Sequence, residues 1–527
     1  MNDRNKSKVH ALLKKRANTL PDKPFIYYQD SHVSYEKMDE ISDRLAYSLL
    51  QLGISKGDMI AVVAPNQPEW LYTFFAAVKI GAPVVALNVR YRLAEFDYML
   101  NNSQAKALVC IDSFGEFDFR QFFKENRSRF PSVEKYIYIT SNKLQDDISL
   151  GDLCKTVVEN QSLLEQAKQE VDETDTAIII YTSGTTGKPK GAMISNKNIL
   201  ASASAQVEHF NIQATDVFIG SLPLNHVGGI TCAVTSCLIC GGSVVLIPSF
   251  RPDLVLQASA EYGITIMAGV PTMYVMMLNV SGIDKYDLSS VRYCIAGGSN
   301  VEPQLCTAIS KTFPGAKLLN LYGLSETSGA CVLSSLDDGV EKVSESIGVV
   351  IDNFKVKVVD GNGNELPAEQ IGELVFKGDC VISGYLGMEK ETADNFRNGW
   401  VYTGDMGYID NDGHIYLKGR KKEMYIQGGF NVYPVEIENV LTRHPKVAMA
   451  AGFGVPDPVF GEVGRFYIVT KPGEVLTEEE LFNYCKQNLA DYKIPKQFEF
   501  ADDLPLTPAG KIHKSLLKEK YLAPGGC

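Results

Sequence analysis

With 527 residues, 45% of them hydrophobic and 22% charged, the chain exceeds what one hydrophobic core can organise, so two or more globular domains are expected. A formal net charge of −12 argues against nucleic acid or an anionic membrane surface as the main partner. Eleven cysteines, an odd number without paired spacing, and a basic N-terminal stretch lacking a continuous apolar segment argue against a secreted disulfide scaffold and for a reducing, cytoplasmic setting.

Ser34 is placed to cap a helix over residues 34–53, with Met38, Ile41, Leu45, Leu49 and Leu50 at helical spacing and Gly53 as its stop. Residues 58–64 read as a buried strand, 69–80 as an apolar helix ended by Gly81, and 84–87 as the next strand. Short β-runs alternating with helices imply parallel βαβ units covered on both faces, hence an α/β fold in which Trp70, Phe74 and Phe75 belong to the core. Residues 115–170 are polar and irregular and read as a solvated excursion without chemistry.

The apolar run 177–180 then enters Tyr181-Thr182-Ser183-Gly184-Thr185-Thr186-Gly187-Lys188-Pro189-Lys190-Gly191, with a helix-compatible segment, 196–205, soon after. Glycines permit close backbone approach, hydroxyls supply donors that do not titrate and the lysines add charge, a combination suited to phosphate oxygens. The P-loop of the NTPases does not fit, because Thr182 takes the place of its first glycine and Pro189 that of its magnesium-binding hydroxyl. Taken alone, the stretch reads equally well as a surface loop.

Residues 229–247 carry no charge over a length near the ~20 residues of a membrane span, yet Gly241-Gly242 divides them into a small-residue half and a β-branched half. A buried helix, a turn and a buried strand are expected there, with Cys237 and Cys240 as a structural pair rather than a metal or redox site. His226, in Ser221-Leu222-Pro223-Leu224-Asn225-His226-Val227-Gly228-Gly229, would by itself be a core or turn residue. Gly269-Val270-Pro271-Thr272 follows, and the strand over 291–299 ends in Ala296-Gly297-Gly298, the kind of strand end against which a flat ligand can lie. Next come Asn320-Leu321-Tyr322-Gly323-Leu324-Ser325-Glu326-Thr327 and, over 348–418, short strands with Gly, Asn and Asp turns that predict a small β-rich subdomain. That subdomain holds Gly399-Trp400-Val401-Tyr402-Thr403-Gly404-Asp405. A charged connector, Gly419-Arg420-Lys421-Lys422-Glu423, leads to Gly428-Gly429 and a final unit ending near Leu506-Thr507-Pro508-Ala509-Gly510-Lys511.

In this order and spacing, over about residues 23–514, these segments resemble the adenylate-forming superfamily of acyl-CoA synthetases, luciferases and peptide-synthetase adenylation domains, and in texture the fatty-acyl and aryl-CoA synthetases most. The resemblance implies an N-terminal domain over 1–421, built of βαβ-type sheets covered by helices plus the β-rich subdomain. A small mobile α+β C-terminal domain over 422–527 would pivot at Lys422. It implies that Thr182, Ser183, Gly184, Thr185, Thr186, Gly187 and Lys190 hold the phosphates of ATP, while Gly297, Gly298, Asn320, Tyr322 and Gly323 surround the base, with Tyr322 stacking on adenine. Thr327 would bind the α-phosphate, Glu326 magnesium, Asp405 both ribose hydroxyls and Arg420 ribose and phosphate. Gly428 and Gly429 would border the CoA thiol's channel, and Lys511 would catalyse adenylate formation. His226, Gly228, Gly229, Val270, Ala296, Gly298 and Ser328 would line the carboxylic-acid pocket.

The implied reaction makes an acyl-adenylate and pyrophosphate from an acid and ATP, then acyl-CoA and AMP. A medium-chain fatty acid leads as substrate, with an aromatic or alicyclic acid second. A stand-alone enzyme loading a carrier protein and a non-catalytic nucleotide-binding regulator are the alternatives. The sixteen residues after Lys511 leave no room for a fused carrier, and Glu326, Asp405, Arg420 and Lys511 are all retained, against a regulator. Nothing in the sequence fixes an oligomeric state.

Overall fold

The computed structural model describes residues 8–140, 148–182, 188–298, 301, 303–506 and 512–522. Two large sheets dominate the N-terminal part. The nine-stranded sheet runs Val349–Val350, Gly329–Leu333, Lys317–Leu324, Tyr293–Gly297, Ile266–Gly269, Val217–Gly220, Ser243–Leu246, Pro24–Tyr28 and Ser31–Ser34, parallel through its centre. The seven-stranded sheet runs Lys190–Ser195, Thr176–Thr182, Val84–Leu87, Ile60–Val63, Ala107–Ile111, Lys135–Ile139 and Ile148–Ser149. Every residue of Ile60–Val63, Val84–Leu87 and Ala107–Ile111 is buried. That is the continuous apolar strand expected where helices cover both faces of a parallel sheet. Ser34 caps the helix Tyr35–Gln51 by accepting from the Lys37 N–H at 3.2 Å, and Gly53 ends the turn with φ +85°.

Two expectations change. Residues 115–170 are not a solvated excursion: the helix Phe119–Glu125 buries Phe119 and Phe123, and Lys135–Ile139 pairs in parallel with Ala107–Ile111. The polar texture misleads because charged side chains there cover aromatic faces. The Arg127 guanidinium lies 4.3 Å from the Tyr136 ring centroid and that of Arg120 lies 5.0 Å from Tyr138. The phosphate-loop candidate joins Thr176–Thr182 to an antiparallel strand, Lys190–Ser195, so the helix Asn196–His209 begins at the far end of that strand. Its N-terminus therefore faces away from the loop and cannot hold an anion there. Near the expected start of the β-rich subdomain, Gly348 bridges to Ile415 while Val349–Val350 pairs with Gly329–Leu333 of the large sheet, and the subdomain's strands are Lys355–Val359, Gly372–Lys377, Phe396–Arg397, Trp400–Ile409 and Ile415–Arg420.

The uncharged stretch folds as expected. A π-helical turn, Gly228–Thr235, runs into the helix Ser236–Cys240, and Gly241 at φ +80° turns the chain into the buried strand Ser243–Leu246. Among the described residues no helix is long and apolar enough to cross a membrane, the cysteines are free thiols, and no group of three or more His, Cys, Asp or Glu could hold a metal.

The C-terminal part has its own five-stranded sheet, centred on the antiparallel pair Val447–Asp457 and Gly461–Thr470. Ile437, Leu441, Phe466 and Leu481 fill one core, and Phe453, Val455, Tyr467 and Leu517 fill another. Each such side chain, fully buried, contributes about 1.5–3 kcal/mol.

Candidate active site

Thr182 and Lys190 face each other across the hairpin, so they hold the two ends of the intervening loop side by side. Ser183, Gly184, Thr185, Thr186 and Gly187 lie outside the described residues, as does Lys511. Lys190 is buried, and its Nζ stands 4.9 Å from the centroid of the Tyr385 ring. The Tyr385 hydroxyl donates to Glu326 Oε1 at 2.7 Å and accepts from Asn395 Nδ2 at 3.0 Å. Burial and the Glu326 charge raise the Tyr385 pKa, so the hydroxyl stays a donor at neutral pH. Glu326 is half-buried, and no group among the described residues donates to its Oε2.

Glu326 sits in a single turn, Ser325–Thr327, at the end of the strand Lys317–Leu324. Thr327 is fully buried. Its hydroxyl accepts from the Leu324 N–H at 2.9 Å and donates to the carbonyl of Gly329 at 2.9 Å. It is committed to closing this turn, so the expectation that it binds phosphate needs correcting. The neighbouring Ser325 hydroxyl has no hydrogen-bond partner among the described residues. Gly323 is required sterically, since a Cβ there would stand 2.0 Å from the Gly329 carbonyl oxygen.

Tyr322 reaches from the same strand to Asp405, donating to Oδ2 at 2.7 Å. Asp405 lies directly opposite Arg420 in the antiparallel pair, and the Arg420 Nε approaches Asp405 Oδ1 at 2.6 Å. Burial opposes the Arg420 charge, but the adjacent Asp405 carboxylate prevails and raises its pKa. Burial, with Asp405 adding to it, pushes the Tyr322 phenol well above its ordinary value. The ring of Tyr322 lies 5.8 Å from that of Phe376. One buried carboxylate, one cation and one aromatic thus meet where the large sheet and the β-rich subdomain adjoin. Asn320 is buried in the strand, its amide donating to the Ser346 carbonyl at 3.5 Å. Ala296 is buried in the adjoining strand, while Gly297 packs closely on Leu321 and Gly298 turns outward with φ +84°.

His226 Nδ1 accepts from the Gly228 N–H at 3.1 Å, fixing the ring at the head of the π-helical turn. A Cβ on Gly229 would stand 2.2 Å from the Pro223 carbonyl oxygen. The room Gly229 leaves is therefore filled by backbone, and it opens no space for a ligand. Val270 occupies the N-cap position of the helix Pro271–Leu278 without a capping side-chain bond. The Ser328 hydroxyl is buried and donates to the Cys380 carbonyl at 2.8 Å.

Beyond Arg420, partial desolvation and the Arg420 charge, with Lys190 adding to them, hold the Lys422 ammonium below its ordinary pKa. Gly428 and Gly429, at φ +59° and +88°, form the two-residue turn between Tyr425–Gln427 and Phe430–Val432. Ile426, Phe430 and Phe460 are exposed around it.

A family model described as AMP-binding enzyme matches residues 13–386, and one described as AMP-binding enzyme C-terminal domain matches residues 436–511. The chain belongs to the AMP-binding enzyme family. As an enzyme it is an AMP-forming acid–CoA ligase, using ATP and CoA. A long-chain-fatty-acid–CoA ligase of Bacillus subtilis is 31% identical over 97% of this chain and 94% of its own. A feruloyl-CoA synthase of an Amycolatopsis species is also 31% identical, over 96% of this chain and 98% of its own. The o-succinylbenzoate CoA synthetase of Bacillus subtilis, solved with the acyl-adenylate intermediate OSB-AMP, superposes with a TM-score of 0.82 at 29% identity, covering 96% of this chain and 97% of that one.

Within this AMP-binding enzyme, Tyr385 and Ser325 stand beside Glu326, and reading the sequence assigned neither a role. Ser325 could have been found, because it directly precedes the one carboxylate of its motif. Tyr385 had only the signal of an aromatic after Gly384, and its approach to Glu326 is a tertiary contact.

Proposed function

We propose that the enzyme activates an apolar monocarboxylic acid, a medium-chain fatty acid first, and that the residues described above divide the work. The wall chemistry carries this substrate class: residues 226–231, 268–272, 296–298 and 328–331 are small, apolar or neutral apart from His226 and contain no Asp, Glu, Lys or Arg. An acid with a second charge would leave it unpaired there, at a cost that excludes it. An aromatic or alicyclic acid is the second reading, favoured by the equal identity to the fatty-acid and feruloyl relatives.

In this reading Asp405 exchanges its bonds to Tyr322 and Arg420 for the ribose hydroxyls, and the released Arg420 turns to phosphate. Ser325, in place of Thr327, donates to the α-phosphate. Glu326 suits magnesium, because a phosphate-bound Mg²⁺ needs only one or two carboxylates and Glu326 has an oxygen to spare. Bound magnesium would supply charge stabilisation on the phosphoryl oxygens. An oxygen of the substrate carboxylate forms the new bond to the α-phosphorus as the bond to pyrophosphate breaks, with Lys190 and Lys511 facing the charge that develops. The C-terminal unit then turns about Lys422, withdrawing Lys511 and bringing up the Gly428–Gly429 hairpin, whose apolar rim suits an incoming thiol arm. The CoA sulfur bonds to the acyl carbon and AMP departs with its oxygen.

Pyrophosphate release from ATP and magnesium, measured across aliphatic, aromatic and alicyclic acids with and without CoA, tests this. CoA-dependent turnover confined to medium-chain aliphatic acids is expected. Turnover confined to ring acids would select the second reading, and release without CoA dependence would point to carrier loading.

A further inference from the structure

The chain over residues 379–396 meets Glu326 twice, once at its backbone and once at its carboxylate. The Ile382 N–H donates to the Glu326 carbonyl at 3.0 Å, while the Tyr385 hydroxyl donates to Glu326 Oε1 at 2.7 Å. The strap is fixed on both sides. Leu386 N–H donates to the Gly191 carbonyl at 2.9 Å, Met193 N–H to the Gly384 carbonyl at 3.2 Å, and Tyr385 N–H to Thr392 Oγ1 at 3.0 Å. Asn198 Nδ2 donates to the carbonyls of Asp379 and Val381 at 2.8 and 3.0 Å. Gly384 allows this approach, since a Cβ there would stand 2.5 Å from the Thr392 methyl.

We propose that Tyr385 is a positioning residue: it fixes the rotamer of Glu326 and so the direction in which the second carboxylate oxygen meets the metal. Asn395 sets the direction of the bond. Its amide N–H donates to the Tyr385 oxygen, so the single tyrosyl proton is left for Glu326. The Lys190 ammonium over the ring face ties the same tyrosine to the phosphate hairpin. One aromatic thereby places the carboxylate and the cation that flank the triphosphate. This rests on Glu326 being the metal-holding carboxylate.

The test uses the full chain with ATP and Mn²⁺ as probe, free Mn²⁺ being read by electron paramagnetic resonance. Tyr385→Phe keeps the ring and removes the hydroxyl. It is expected to weaken Mn²⁺ binding in the presence of ATP about tenfold, the lower end of what an orienting partner of a metal ligand contributes. ATP binding in EDTA and the melting temperature should stay at wild-type values. Glu326→Gln separates the two assignments. If it leaves Mn²⁺ affinity unchanged, the metal reading of Glu326 falls and the positioning role with it. If Glu326→Gln weakens Mn²⁺ while Tyr385→Phe does not, only the positioning role falls. In the double variant, Tyr385→Phe should add little to Glu326→Gln, and a fully additive loss would overturn the proposal. Should Tyr385→Phe melt early, Asn395→Leu reports independently with the tyrosine in place, and unchanged Mn²⁺ affinity there counts against it.

Discussion

Two hydroxyls flank Glu326, and their surroundings assign them opposite duties. Thr327 spends its hydroxyl on the Leu324 amide and the Gly329 carbonyl, whereas Ser325 keeps its own unengaged among the described residues. Thr327→Val should therefore lower stability by about 1–3 kcal/mol, because two buried backbone groups lose their partner. Ser325→Ala should leave the urea midpoint unchanged and slow adenylate formation at least tenfold. Urea unfolding and single-turnover pyrophosphate release separate the two, and the reverse pattern would restore the phosphate role to Thr327. Spacing within a motif brings a hydroxyl to the right neighbourhood, but which of two hydroxyls faces the ligand depends on the turn's closure. The sequence named Asp405 and Arg420 separately from their motifs, and their pairing follows only from strand register.

At the level of elements, helices with a clear apolar stripe and strands of unbroken β-branched residues were readable, as Tyr35–Gln51 and Val84–Leu87 show. The segment 115–170 was not, because cation–aromatic contacts hide its buried strand behind charged residues. The helix Val9–Thr19 carries a further consequence. His10 is buried, its Nδ1 within 3.2 Å of the Val78 carbonyl oxygen, close to the buried ammonium of Lys79, which pairs with Asp39 at 2.7 Å and Asp43 at 2.6 Å. Burial first, then the Lys79 charge, lowers the His10 pKa from 6.5 to about 4. Because the folded value lies below the unfolded one, His10 favours the fold above pH 6.5, and this contribution is lost as pH falls towards 4, to a total of up to about 3 kcal/mol. In His10→Gln the stability difference from the natural chain at pH 7 should therefore shift in the variant's favour by that amount near pH 4. Urea midpoints at several pH values check this, and parallel curves would show that His10 carries no such linkage.

For the whole molecule, the separate cores matter most. The buried residues that fill the C-terminal sheet's two faces form clusters apart from the core of the two large sheets. Ion pairs such as Lys418 with Glu436 at 3.5 Å join the parts across a surface. A unit with its own core can turn as a rigid body, provided a few connector residues absorb the change. Lys511 belongs to that unit's last motif. The neighbouring Lys514 is held by Glu438 Oε1 at 2.7 Å and Glu423 Oε2 at 3.0 Å, so the end of this segment is anchored to the start of the unit, just beyond Lys422. In the proposed rotation about Lys422, Lys514 would travel with the unit. Lys511→Ala should then abolish most adenylate formation, at least a hundredfold in single turnover, and leave thioester formation from supplied acyl-AMP and CoA within a few-fold of the natural chain. Equal loss in both half-reactions would mean that Lys511 stays at the site throughout, and that the unit does not turn between the two steps.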